Sequence, residues 1–324
     1  MAALRGEPVD RVPLSFWLHN FTAENAVDSF VAESLRLARE LDWDYLKPQS
    51  RAQCFAEAWG FRFQPSSERA TPFTPTHAPC ADATDLSRLQ PASLSAGALG
   101  EQLEALRRIR AGVGGDLPIL WTVFSPMMVV PYLLPDGVEQ ALAIAREEPK
   151  ALAAALDAIT YTLASYARLA LDAGADGLFY ATNVARRGLL TAEECRRFQR
   201  PYDLRVLTAV AFAPFTALHV CGDGVHFDEF VDYPVRAFSW ALGGGNPSLH
   251  QAHRQTGRAV MGGLPAKPLI ASLTPAVIVE RARAAVREMN GRALLLGPDC
   301  SINPDTPEAL LRAARAALEP ASAA

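Results

Sequence analysis

Cysteine is scarce in this chain, with five in 324 residues, at positions 54, 80, 195, 221 and 300. An odd and scattered set is a poor disulfide framework, so any cysteine that matters reads as a metal ligand or reactive thiol. Long apolar runs are also missing. No stretch approaches the roughly 18 to 20 residues needed to span a bilayer, and the opening Met1-Ala-Ala-Leu-Arg-Gly-Glu-Pro8 lacks the apolar core of a secretion signal. These two absences predict a cytoplasmic protein with no membrane partner. Basic tracts are absent too: 31 Lys and Arg are outnumbered by 35 Asp and Glu, and the charges are dispersed. That balance argues against a nucleic-acid partner and leaves a small-molecule substrate as the expectation. No repeat or linker divides the sequence, which reads as a single domain over residues 1–324.

Apolar residues make up 50% of the chain, enough for a large core. Short β-rich segments alternate with long helical ones. The expected strands are Val12–Leu18, Asp44–Lys47, Ile119–Phe124, Gly177–Tyr180, Phe215–Cys221, Val235–Trp240, Ala259–Gly262 and Ala293–Leu296. Helices are expected over Ala23–Glu40, Ala98–Ala111, Pro149–Ala173, Ala192–Ala211, Leu249–Gln255, Pro275–Met289 and Pro307–Leu318. Thr191-Ala-Glu-Glu and Thr274-Pro supply helix starts, a hydroxyl cap followed by early carboxylates or by proline. Strand–helix alternation predicts a parallel sheet, and eight units predict an α/β (β/α)8 TIM barrel. Residues 52–97 interrupt the rhythm. They read as an insertion between strands 2 and 3, with a hairpin near Ala58–Phe63, placed over the barrel mouth.

Active sites of such barrels form at the C-terminal strand ends. There the sequence places His219-Val220-Cys221 and, after the last strand, Cys300. Residues i and i+2 of a strand face the same way, so His219 and Cys221 can meet one ion. One imidazole and two thiolates are the ligand set of an open zinc site, whose fourth position is left to water or substrate. All three residues fall in the strand-end set that also contains His19, Lys47, Asn183 and Trp240.

With these segments in place, the chain resembles the uroporphyrinogen decarboxylase superfamily. Within it, it is similar to the His-x-Cys…Cys branch that includes methylcobalamin:coenzyme M methyltransferases. The resemblance rests on Leu218-His-Val-Cys-Gly222, Val260-Met-Gly-Gly263 and Leu296-Gly-Pro-Asp-Cys-Ser-Ile-Asn-Pro-Asp-Thr-Pro307. Leu190-Thr-Ala-Glu-Glu194, Arg200-Pro-Tyr-Asp203, Phe124-Ser-Pro126 and Tyr132 support it. It implies a (β/α)8 barrel, Zn2+ held by His219, Cys221 and Cys300, and methyl transfer to a zinc-activated thiolate. It also allows a homodimer. No Asp-x-His-x-x-Gly motif is present, so any corrinoid is expected on a separate protein. The decarboxylases carry a Met-Arg-Gln-Ala-Gly-Arg run where this chain reads Phe16-Trp-Leu-His-Asn-Phe21, and their Gly-His-Gly becomes Pro298-Asp-Cys300. No Ser-Asp-Ile pattern occurs between Asp42 and Gln53. A polycarboxylate substrate needs cationic clamps that are missing here.

Three readings stand at this point: a zinc-dependent methyltransferase or demethylase, a metal-assisted decarboxylase, and a non-catalytic zinc-binding barrel. Tyr132 and Asn183 are the candidate catalytic groups. For each there is a plainer reading, rim packing for Tyr132 and a turn for Asn183. His19, Trp240 and Arg186 are the candidate pocket residues. Arg187 and Lys47 are further candidate anion contacts, and Asp223 and Asp299 candidate supports for the ligands. His77, His226, His250, His253, Cys54, Cys80 and Cys195 read as ordinary loop, surface or core residues.

Overall fold

A computed structural model gives the architecture and describes residues 1–319. Two short antiparallel strands, β1 (Arg62–Gln64) and β2 (Thr74–His77), form the hairpin of the insertion. The main sheet comprises β3 (Leu120–Phe124), β4 (Gly177–Thr182), β5 (Ala217–Val220), β6 (Ala237–Trp240), β7 (Ala259–Leu264) and β8 (Leu294–Pro298), all parallel and in sequential order. Their residues are buried almost throughout, as expected of strands covered on both faces.

The two N-terminal strands of the expected eight take a different form. Segments 12–18 and 44–47 join the ring only through isolated parallel bridges, Leu14 to Leu296, Leu18 to Ile302 and Leu46 to Ile119. Pro13 lacks an N–H, which denies the first segment a regular ladder. Closure is still traceable. Ser15 N–H donates to Leu296 O (3.2 Å) and Leu296 N–H to Pro13 O (2.8 Å). Asp44 N–H donates to Leu14 O (2.9 Å), and Leu46 N–H to Pro118 O (2.7 Å). The Asp44 carboxylate reinforces this seam by accepting from Leu14 N–H (2.8 Å), Arg11 (2.8 Å) and Arg315 (2.7 Å).

Helix boundaries follow their caps. Thr191 and Glu194 form a reciprocal capping box, as do Ser248 and Gln251. Thr274 caps the helix Pro275–Glu288. The helix expected over Ala192–Ala211 is broken. It passes through one wide turn, Cys195–Gln199, before resuming as Arg200–Thr208, because Pro201 supplies no N–H and its ring crowds the preceding turn. The first helix begins at Val27, and a helix over Gly137–Glu147 has no counterpart in the sequence expectations. The hairpin lies slightly beyond its expected place, with Phe61, Phe63 and Phe73 packed together and Phe61 against Tyr132 at the barrel mouth. At the foot of β4 only glycine fits: a Cβ on Gly177 would lie 2.0 Å from Phe215 O. That close approach sets how tightly β4 meets the chain entering β5.

Tyr180 of β4 donates to the buried Asp203 carboxylate (2.6 Å), which also accepts from Tyr233 (3.2 Å). Burial raises the Asp203 carboxyl from 3.8 to about 6. The fold therefore favours the protonated acid more than the unfolded chain does. The stabilisation is fully present below pH 4 and is lost as pH rises through 6. Relative to Asp203→Asn, the wild type is expected to gain about 2 kcal/mol on acidification from neutrality to pH 4. Urea unfolding of both proteins across that range checks this, and parallel stability curves would refute it.

Candidate metal centre

β5 lies between β4 and β6, with His219 in register with Ala181 on one side and Ser239 on the other. Side chains in register share a face. Ser239 Oγ accordingly meets His219 Nδ1 at 3.1 Å, and the Phe179 ring stacks on the imidazole at 5.1 Å between centroids. The ladder runs one residue past β5, since Cys221 N–H donates to Thr182 O (2.8 Å). Cys221 thus keeps the facing of His219. Gly222 then turns the chain at φ 103°, where a Cβ would lie 2.9 Å from the Arg186 guanidinium. Cys300 follows β8, its loop held by Asp299 N–H to Leu264 O (2.8 Å) and Ile302 N–H to Trp17 O (3.0 Å).

His219, Cys221 and Cys300 are brought together, with candidate ligand atoms all within 4.8 Å of one another. The two sulfurs are 3.6 Å apart. Two zinc–sulfur bonds of about 2.3 Å at a tetrahedral angle imply about 3.8 Å between sulfurs, so the pair needs almost no adjustment. His219 is buried, and its Nε2 has no hydrogen-bond partner among the described residues. With Nδ1–H donating to Ser239, the Nε2 lone pair is left for a cation. The residues therefore fit a zinc ion. Without one, the Cys221 thiol and the nearby imidazole hold the Cys300 thiol well below its ordinary value. The same sulfur contact, with burial, pushes Cys221 far up. One easily ionised sulfur beside a protonated one is a pair a divalent cation would convert to two thiolates.

The trio opens on a cavity of about 150 Å³ with an aromatic wall of Trp17, Phe124, Tyr132 and Phe179. His19, Asn183 and Lys47 also line it. Burial pushes the Tyr132 hydroxyl up to about 12. Thr122 and Thr182 also line the cavity, and their hydroxyls are buried without a partner among the described residues. Two of the candidate pocket residues lie elsewhere. Trp240 is in register with Val220, on the face away from His219; its ring packs against Phe227 and its Nε1–H donates to Pro247 O (2.9 Å). Arg186 is half-buried behind Gly222 and does not line the cavity. Asp299 sits beside the trio, accepting from the N–H groups of Leu242 (3.2 Å) and Gly263 (3.3 Å), and burial raises its carboxyl to about 6.

Lys47 is the only Lys or Arg among the cavity's lining residues. Its ammonium donates to Gln49 Oε1 and lies 4.7 Å from the Phe179 ring centroid. Gln49 reaches His19 Nε2 (2.9 Å), and His19 Nδ1 reaches Glu24 (2.7 Å). Sequence reasoning had Lys47 and His19 at strand ends but not this chain, because Glu24 is buried by a turn that no local pattern announces.

A model of the uroporphyrinogen decarboxylase (URO-D) family matches residues 1–319, and the chain belongs to that family. Among curated proteins it is 25% identical over 222 residues to a methylated-thiol–coenzyme M methyltransferase of Methanosarcina mazei, covering 65% of this chain and 55% of that protein. It is 24% identical over 235 residues to a methylcobamide:CoM methyltransferase of Methanosarcina acetivorans, covering 68% of each. The chain thus spans little more than half the length of the first relative. Among solved structures, a methyltransferase from Methanosarcina mazei superposes with a TM-score of 0.84 at 23% identity, over 98% of this chain and 96% of that one. A B12-independent methionine synthase from Shewanella superposes with a TM-score of 0.60 at 14% identity, over 94% of each. These likenesses place the fold among TIM-barrel proteins. No helix among the described residues is long and apolar enough to cross a membrane.

Proposed function

We propose that this protein is a zinc-dependent methyltransferase that passes a methyl group to a thiol. The observation that carries this reading is the convergence of His219, Cys221 and Cys300 on a small apolar cavity, with His219 Nε2 unpaired. Zinc bound by two thiolates and a neutral imidazole supplies a site of zero formal charge that keeps an entering thiol ionised and nucleophilic. Ser239 holds the imidazole tautomer, and Phe179 holds its plane. The aromatic wall gives the nucleophile an apolar flank. Tyr132 and Asn183 stand at the rim as the polar groups that orient the substrate, and His19 completes the lining. The relatives' names point to a methyl group delivered by a corrinoid, and a separate corrinoid protein is the expected donor here. Porphyrinogen decarboxylation is disfavoured, since a polyacid finds a single lysine in a cavity of about 150 Å³.

The test is to mix zinc-loaded protein with methylcobalamin and 2-mercaptoethanol and follow loss of the methylcobalamin absorbance. Demethylation is expected to fall at least about 100-fold on chelation and to return with zinc. A rate indifferent to chelation, or no rate above the protein-free mixture, would remove this reading.

A further inference from the structure

A buried lysine needs an anionic partner or gives up its charge. Lys47 is 3% exposed, and its side-chain contacts are a neutral amide and an aromatic ring. Among the described residues it has no carboxylate within ion-pair distance. The negative groups acting on it are the Cys300 sulfur across the cavity and, more weakly, Glu24 at the end of a hydrogen-bonded chain. Lys47 donates to Gln49, Gln49 Nε2 to His19 Nε2, and His19 Nδ1–H to Glu24, so the donors run in one direction from Lys47 to the carboxylate. Glu24, Lys47 and Gln49 also line a small hollow between this wall and the helix Val27–Glu40, so the chain runs through the barrel wall. On the inner side, Nζ lies 4.7 Å from the Phe179 centroid, itself 5.1 Å from the His219 ring. Lys47 is thus no farther from the imidazole centre than the sum of those two spacings.

We infer that Lys47 takes up and holds the proton a thiol substrate gives up on entering the metal site, with Gln49, His19 and Glu24 as the residues that position it. This rests on the thiol-methylation reading above. The thiol S–H bond breaks, the sulfur keeps the bonding electron pair, and a new N–H bond forms at Nζ. The bound thiolate would bring one negative charge and Lys47 would gain one positive charge, so the net charge of the cavity would be unchanged. When the sulfur becomes a neutral thioether, the ammonium loses its partner and returns its proton to water. Burial brings Lys47 down to about 7, which leaves the amine free to accept near neutrality. The other titratable groups facing it are Glu24 and His19 along the chain, Glu33 of the helix Val27–Glu40 in the outer hollow, and Tyr132, His219, Cys221 and Cys300 across the cavity.

The experiment is calorimetric titration of the zinc-loaded protein with 2-mercaptoethanol in buffers of different ionisation enthalpy, which counts protons released. The wild type is expected to release about one proton per site near pH 6, where Lys47 is already charged, and close to none near pH 8. Lys47→Met is expected to release about one at both. Wild-type release of about one proton at both pH values overturns the inference while leaving the methyltransferase reading intact. So does a Lys47→Met protein that matches the wild type near pH 8. Should Lys47→Met fail to fold, the wild-type pair of titrations decides alone. A wild type that loads zinc but binds no thiol overturns both.

Discussion

Cys300→Ser is expected to purify with less than about a tenth of the metal carried by the wild type, which should hold about one zinc per chain. Serine is nearly the same size as cysteine, and Cys300 is only half-buried, so the fold should survive. What changes is the donor. A hydroxyl stays protonated where a thiol ionises, leaving one thiolate and one imidazole, too few for a stable catalytic site. Methyl transfer to thiol should fall at least about 1,000-fold with it. Elemental analysis after dialysis against a chelator, with circular dichroism as the control for folding, checks the result. Full metal occupancy in Cys300→Ser would show that the three residues do not share an ion.

Asp44→Ala is expected to cost about 3–5 kcal/mol of stability. The carboxylate sits at the seam where the two N-terminal segments close the ring, bound to Leu14 N–H, Arg11 and Arg315. Arg315 is 8% exposed and keeps only the Asp42 carbonyl and a longer contact with the exposed Asp42 carboxylate (3.7 Å) when Asp44 is removed. A mostly buried guanidinium left with that weaker contact and an unpaired backbone N–H then remain where the ladder is already sparse. Urea midpoints with unchanged m-values measure the loss. The exposed pair Arg5–Glu7 is the comparison, since Arg5→Ala should leave the urea midpoint essentially unchanged. A loss below about 1 kcal/mol for Asp44→Ala would mean that closure does not depend on this carboxylate.

How far the sequence carried can be judged from particular residues. The i, i+2 spacing of His219 and Cys221 needs only the period of a strand, so their shared facing was legible. The approach of Cys300 was legible only through the expectation of a ring, because β8 is three strands from β5. Trp240 shows the limit. Its facing depends on the register that pairs Ser239 with His219 and Val220 with Trp240, and register is a property of two strands together. The wide turn at Cys195–Gln199 could have been suspected from Pro201. The weak pairing of segments 12–18 and 44–47 could not be read from residue type alone, since both contain good strand formers. The Lys47–Gln49–His19–Glu24 chain joins two such segments and exists only once both are in place.

The donor set is divided unequally along the polypeptide. His219 and Cys221 come with β5, while Cys300 follows the last strand. A growing chain that has not yet delivered β8 offers an imidazole and a single sulfur, a grip too weak to retain an ion. Capture of a metal by these three residues would therefore mark completion of the barrel, and the ion would cross-link the beginning and end of the second half of the ring.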